Sequence, residues 1–114
     1  MAVDPGFGAF ILEQLGRVAP SVRSRAMFGG LSFRTAEGTF ALLDDEQLYL
    51  KGDKLSVARY EAAGWPPFRP FGEDGAAMNY FAVPGELLED LDGLRPWVDL
   101  AREAAARAPK KKKK

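Results

Sequence analysis

The residue types that could carry chemistry are few. The 114-residue chain has no cysteine and no histidine. Thiolate metal sites, cysteine nucleophiles, disulfides and the side chain most used for proton transfer near neutral pH are therefore all missing. What remains is carboxylates, lysines, arginines and a pair of glycines in "SRAMFGGLSF", residues 24–33. A phosphate-cradling loop needs a strand, a glycine-rich turn and then a helix whose N-terminus meets the phosphate. Here the glycines lead into a second strand-like stretch, and neither GxGxxG nor a Walker lysine is present. Gly29 and Gly30 are therefore expected to be the structural turn of a hairpin. Asp44-Asp45-Glu46 falls where a turn belongs, with no other ligand spacing beside it, so no metal is expected. Ser24, Ser32 and Ser56 have no histidine to activate them. No catalytic residue and no cofactor site follow, and the expected protein is not an enzyme.

The candidates that survive are cations. A two-residue loop at Gly29-Gly30, which accepts positive φ without steric cost, sets Phe28 opposite Leu31, Ala26 opposite Phe33 and Arg25 opposite Arg34. Arg23, Arg25, Met27, Ser32 and Arg34 then share one face, and the apolar residues share the other. A second tight loop at Glu37-Gly38 would set Phe33 against Leu42. Like charges directly opposite on a strand pair cost a few tenths to roughly 1 kcal/mol. Arg23, Arg25, Met27 and Arg34 are thus candidate contacts for an anionic partner, unless intramolecular carboxylates or water solvate them. The remaining candidates are Lys110, Lys111, Lys112, Lys113 and Lys114. These five account for the formal net charge of zero: the other 11 basic residues stand against 16 acidic ones, a net of −5. Five consecutive lysines attract any polyanion, with binding that falls as salt rises, or they simply solubilise.

Apolar spacing from Phe7 to Val18 predicts a helix, with Asp4 as cap and Pro5 in its first turn. The stretches 22–28, 31–35, 39–43 and 48–51 predict short strands. Asp53 is expected to cap a second helix that stops before Gly64. Three prolines and two glycines make 65–75 an irregular or edge segment. A strand over 78–83, a short helix over 84–91 and a last helix capped by Asp92 complete the body. This order predicts an α+β fold in two layers, an antiparallel sheet with helices on one face. One domain over 1–108 and a disordered lysine tail over 109–114 are expected. The aromatics read as core more than as a platform for stacking bases. The sheet face without helical cover would show Met27 and further apolar side chains, which suits a partner or a homodimer. With no leader-like start and no long apolar run, a soluble cytoplasmic protein without membrane contact is expected.

The elements "VRSRAMFGGLSFR", "FALLDDEQLYLKGD", "YEAAGWPPFRPFG", "MNYFAVPGELLED" and "LRPWVDLAREAA" together resemble the N-terminal domain of the TfoX/Sxy family, bacterial proteins linked to regulation of competence genes. The resemblance covers roughly residues 7–106 and implies a secretion-chaperone-like α+β fold in the order helix, three strands, helix, two strands, helix, one strand fewer in the first group than the four read above, without catalytic residues. It implies a non-enzymatic regulatory or adaptor domain, acting in transcriptional or competence regulation through a protein partner such as a transcription factor. The full-length regulators carry a C-terminal domain that has no counterpart in these residues. The alternative is direct, nonspecific nucleic-acid binding by the arginine face and the lysine run.

Overall fold

The computed structural model describes residues 5–27, 30–44, 46–69 and 78–108. In chain order they form α1 (Pro5–Val18), β1 (Arg23–Met27), β2 (Gly30–Thr35), β3 (Gly38–Asp44), β4 (Gln47–Lys51) and α2 (Val57–Ala63). There follow β5 (Pro67–Phe68), β6 (Met78–Ala82), a 3-10 helix (Gly85–Glu89) and α3 (Leu91–Arg107). The strands make one antiparallel sheet in the order β1-β2-β3-β4-β6-β5. This is the expected α+β fold, with four strands in the first group and two after α2.

Cross-strand pairing explains the core. Phe33 pairs with Ala41, Ala41 with Leu50 and Leu50 with Phe81, while Leu43 pairs with Leu48. Paired residues share a face, so one side of the sheet presents an unbroken apolar surface, and all of these side chains are buried. α3 lies across β3 and β4. It supplies Leu94, Val98, Ala101 and Ala105 at helical spacing, with small residues where the helix comes closest to the sheet. α1 packs against α3 through Ile11, Leu15 and Val18.

α2 is short, and Tyr60 is its one buried residue. Tyr60 is fully buried. Its ring stacks on Phe81 at 4.6 Å and meets Trp65 and Trp97, each at 5.4 Å. Its hydroxyl donates to the Lys51 carbonyl at 2.9 Å. That bond satisfies the only polar atom of the ring, and burial pushes the phenol well above its usual pKa.

The predicted helix starts shift in two places. α3 begins at Leu91, because the Asp90 carboxylate, and not that of Asp92, accepts from the Gly93 N–H at 3.1 Å. α2 begins at Val57: Asp53 accepts from the Leu55 and Ser56 N–H groups, each at 3.1 Å, and so caps a preceding turn. The helix expected over 84–91 is the 3-10 helix. Gly64 ends α2 in the left-handed region at φ 80°, as expected of a glycine stop. In the stretch expected to be irregular or an edge, Pro67–Phe68 forms a two-residue edge strand beside β6. Asp4, residues 70–75 and the expected tail over 109–114 lie outside the described residues.

Truncating the aromatic anchor is expected to be costly. Tyr60→Ala should lower the urea-unfolding free energy by about 3–5 kcal/mol, and Tyr60→Phe by about 1 kcal/mol through the unpaired Lys51 carbonyl. Tyr60→Ala unfolding like wild type would show that the cluster does not hold α2.

Candidate functional site

β1 and β2 pair Arg23 with Arg34, Ser24 with Phe33, Arg25 with Ser32, Ala26 with Leu31 and Met27 with Gly30. This corrects the predicted facing of Arg25 and Arg34: it is Arg23 that lies opposite Arg34. It also corrects the turn. Gly30 is the first residue of β2, paired with Met27, and residues 28–29 lie outside the described residues. Gly30 also makes a close approach to β3. A Cβ on Gly30 would collide with the Leu43 carbonyl oxygen of β3, so this buried strand position admits only glycine. The pairing slips by two residues in all, which preserves face parity. Arg23, Arg25 and Arg34 therefore share a face with Ser32, as expected.

The next hairpin differs similarly. Thr35 pairs with Gly38, and an irregularity at Phe33/Arg34 sets Phe33 against Ala41 and Ser32 against Leu42. Leu42 thus lies on the arginine face instead of under the helices. The expectation that this face exposes its apolar residues is corrected too. Leu42 is 6% exposed and Tyr80 9%, while Tyr49 is half-buried with its ring 4.4 Å from that of Phe68. The Met27 side chain, Gly29 and Lys110–Lys114 lie outside the described residues.

β1 forms one edge of the sheet, and its Arg23 and Arg25 are exposed, as is Arg34 on β2. Among the described residues none of the three makes an ion pair. Other arginines do: Arg17 meets Glu13 at 2.7 Å, and Arg102 bridges Glu37 at 3.2 Å and Asp99 at 3.7 Å. Arg23 and Arg34 line a surface cavity of about 380 Å³ with Ser21, Thr35 and Ala36. Ser21, at φ 53°, turns the chain from α1 into β1. Two guanidinium groups on directly paired positions present fork-shaped donors suited to a carboxylate or phosphate between them.

A second charged cluster joins the β4–α2 turn to the end of α3. Arg107 donates from Nε and Nη2 to the two Asp53 oxygens at 2.8 and 2.9 Å. These bonds, with the Ser56 hydroxyl, hold the Asp53 carboxyl at a pKa of about 2, against an ordinary 3.8. The Thr35 hydroxyl and Arg102 hold Glu37 low in the same way. Lys51, Lys54, Leu55 and Asn79 border Asp53 around a cavity of about 370 Å³. The Asp53–Arg107 pair is absent from the sequence-level prediction, because the partners lie 54 positions apart and meet only once α3 is laid across the sheet. Asp44 pairs with Gln47 at the far end of β4 from Lys51. Among the described residues Asp44 and that lysine therefore lie apart, and Asp45 lies outside them. Among the described residues no cluster of potential metal ligands forms, and no helix is long and apolar enough to cross a membrane.

The chain is thus a small α+β domain whose sheet edge bears exposed arginines. The chain belongs to the TfoX N-terminal domain family, whose sequence model matches residues 13–105, and this is a family of non-catalytic domains. No curated protein matches the chain.

The Asp53 and Glu37 pairs make stability acid-sensitive with a defined sign. A carboxyl whose pKa is lower in the folded chain stabilises above its unfolded value and loses that contribution as pH falls through the folded one. Stability should therefore drop between about pH 4 and pH 2. Asp53→Asn should cost roughly 1 kcal/mol at neutral pH and flatten the drop. Urea titrations across that range check it, and parallel pH profiles for the two chains would contradict it.

Proposed function

We propose that this chain is a non-enzymatic regulatory or adaptor domain that works by contact with an acidic segment of a protein partner, in transcriptional regulation of the TfoX type. One observation carries the reading: Arg23 and Arg34 lie directly opposite each other on an exposed edge strand pair, with no carboxylate partner among the described residues. Holding like charges together costs stability in the isolated domain, and an acidic partner converts that cost into affinity. Arg25, on the same face and beside Ser32, extends the site by one pleat. The open edge of β1 adds backbone donors and acceptors that suit an extended segment. A second copy of the chain is the simplest alternative occupant, since it carries acidic surface of its own.

Affinity capture from a bacterial lysate, followed by measured binding of the captured partner, tests the reading. Arg23→Glu with Arg34→Glu should reduce affinity at least tenfold, while charge reversal of the remote Arg59 leaves it unchanged. Equal affinity for both variants would reject the arginine edge as the contact. Light scattering after size exclusion separates the partner from self-association, because a concentrated wild-type chain running as monomer removes the second copy as occupant.

A further inference from the structure

The six-stranded sheet has two edges, and they are built differently. β5 is two residues long, begins with a proline that has no N–H to offer, and meets β6 in an irregular register. Short length, proline and irregular pairing are devices that keep a strand edge from recruiting another chain. β1 has none of them. It runs for five residues without proline, pairs with β2 in an unbroken register, and among the described residues no strand lies on its outer side.

Both faces of β1 are open as well. Arg23 and Arg25 are exposed on one face, and Ser24 and Ala26 are exposed on the other, because α3 lies across β3 and β4, further into the sheet. Among the described residues, the guards on this edge are its two cations. Glu37, on the turn that follows β2, does not neutralise them, since its carboxylate accepts from Arg102 and from the Thr35 hydroxyl. A guard made of charge, unlike one made of proline, is lifted by opposite charge. Antiparallel pairing with β1 of a second copy about Ser24 would set Arg23 and Arg25 against the same two arginines, which opposes it.

We propose, on the reading that the arginine edge is the contact, that β1 takes its partner as a seventh strand. The occupant is an extended segment antiparallel to β1, with acidic residues two apart facing Arg23 and Arg25 and an uncharged residue between them beside Ser24. The antiparallel sense continues that of the sheet and gives the more stable pairing. Backbone hydrogen bonds to the outer groups of β1 supply affinity, and the two-residue period of the acids selects the segment. Arg34, one strand further in, adds a third cation on the same face.

Fluorescence anisotropy of labelled seven-residue peptides against the full chain, at about 0.15 M salt, tests this. The peptide TVEVEVT is expected to bind, and its isomer TVVEEVT, whose adjacent glutamates point to opposite faces, about tenfold more weakly. N-methylation of alternate residues separates strand addition from charge contact alone. Methylating one alternate set should abolish binding and methylating the other should change it less than about twofold, because only one set turns its N–H toward β1. Arg23→Glu with Arg25→Glu, folded by circular dichroism, should lose TVEVEVT and bind TVKVKVT instead. Equal binding of the isomer, or of both N-methylated forms, would overturn strand addition while the arginine contact stands. Unchanged affinity in the charge-reversed chain would overturn both. No binding of TVEVEVT up to about 1 mM would overturn strand addition, and the captured partner's response to Arg23→Glu with Arg34→Glu then judges the arginine contact by itself.

Discussion

The packing of β2 against β3, the strand pair that carries Arg34, includes a contact in which one partner has no side chain. Gly30 lies under the backbone carbonyl of Leu43, and any Cβ there would collide with it. This approach fixes where β2 begins against β3. On its other side β2 pairs with β1, with Met27 opposite Gly30 and Arg23 opposite Arg34. A slip of one residue in one strand would carry Phe33 out of the core and an arginine into it. The observed slip of two in the pairing leaves the faces intact and changes only the neighbours. In that pairing Arg23, and not Arg25, faces Arg34.

Much of this fold was legible in the sequence, and the limits have physical causes. Alternating apolar residues marked the strands, and the spacing of Ile11, Leu15 and Val18 and of Leu94, Val98 and Ala101 marked the helix stripes, because burial imposes those periods. Face assignment survived a wrong register because parity is robust to even shifts. The register itself was hidden, since two adjacent glycines look alike in sequence. One is needed for a close backbone approach inside a strand, which depends on the neighbouring β3. The same holds for Asp53: its capping role was visible locally, but its pairing with Arg107 depends on where α3 ends.

The energetic burdens of the domain fall in different places from its candidate contacts. Stability rests on the sheet–helix interface and on the Tyr60 cluster, where aromatic rings from α2, β6 and α3 meet and one hydroxyl is satisfied by a strand carbonyl. The cations Arg23, Arg25 and Arg34 at the sheet edge are exposed and peripheral to that core. Replacing them should leave the fold in place.

The cysteine-free chain allows the central claim, the facing of Arg23 and Arg34, to be measured directly. A disulfide forms only where two Cα atoms lie within about 4.4–6.8 Å and the Cβ vectors converge. Oxidation of an Arg23→Cys, Arg34→Cys variant should therefore give a rapid and complete intramolecular crosslink, read by thiol titration and mass. Arg25→Cys with Arg34→Cys should remain largely reduced. The reverse result, with the second pair linking and the first staying free, would contradict the register and the charged surface built on it.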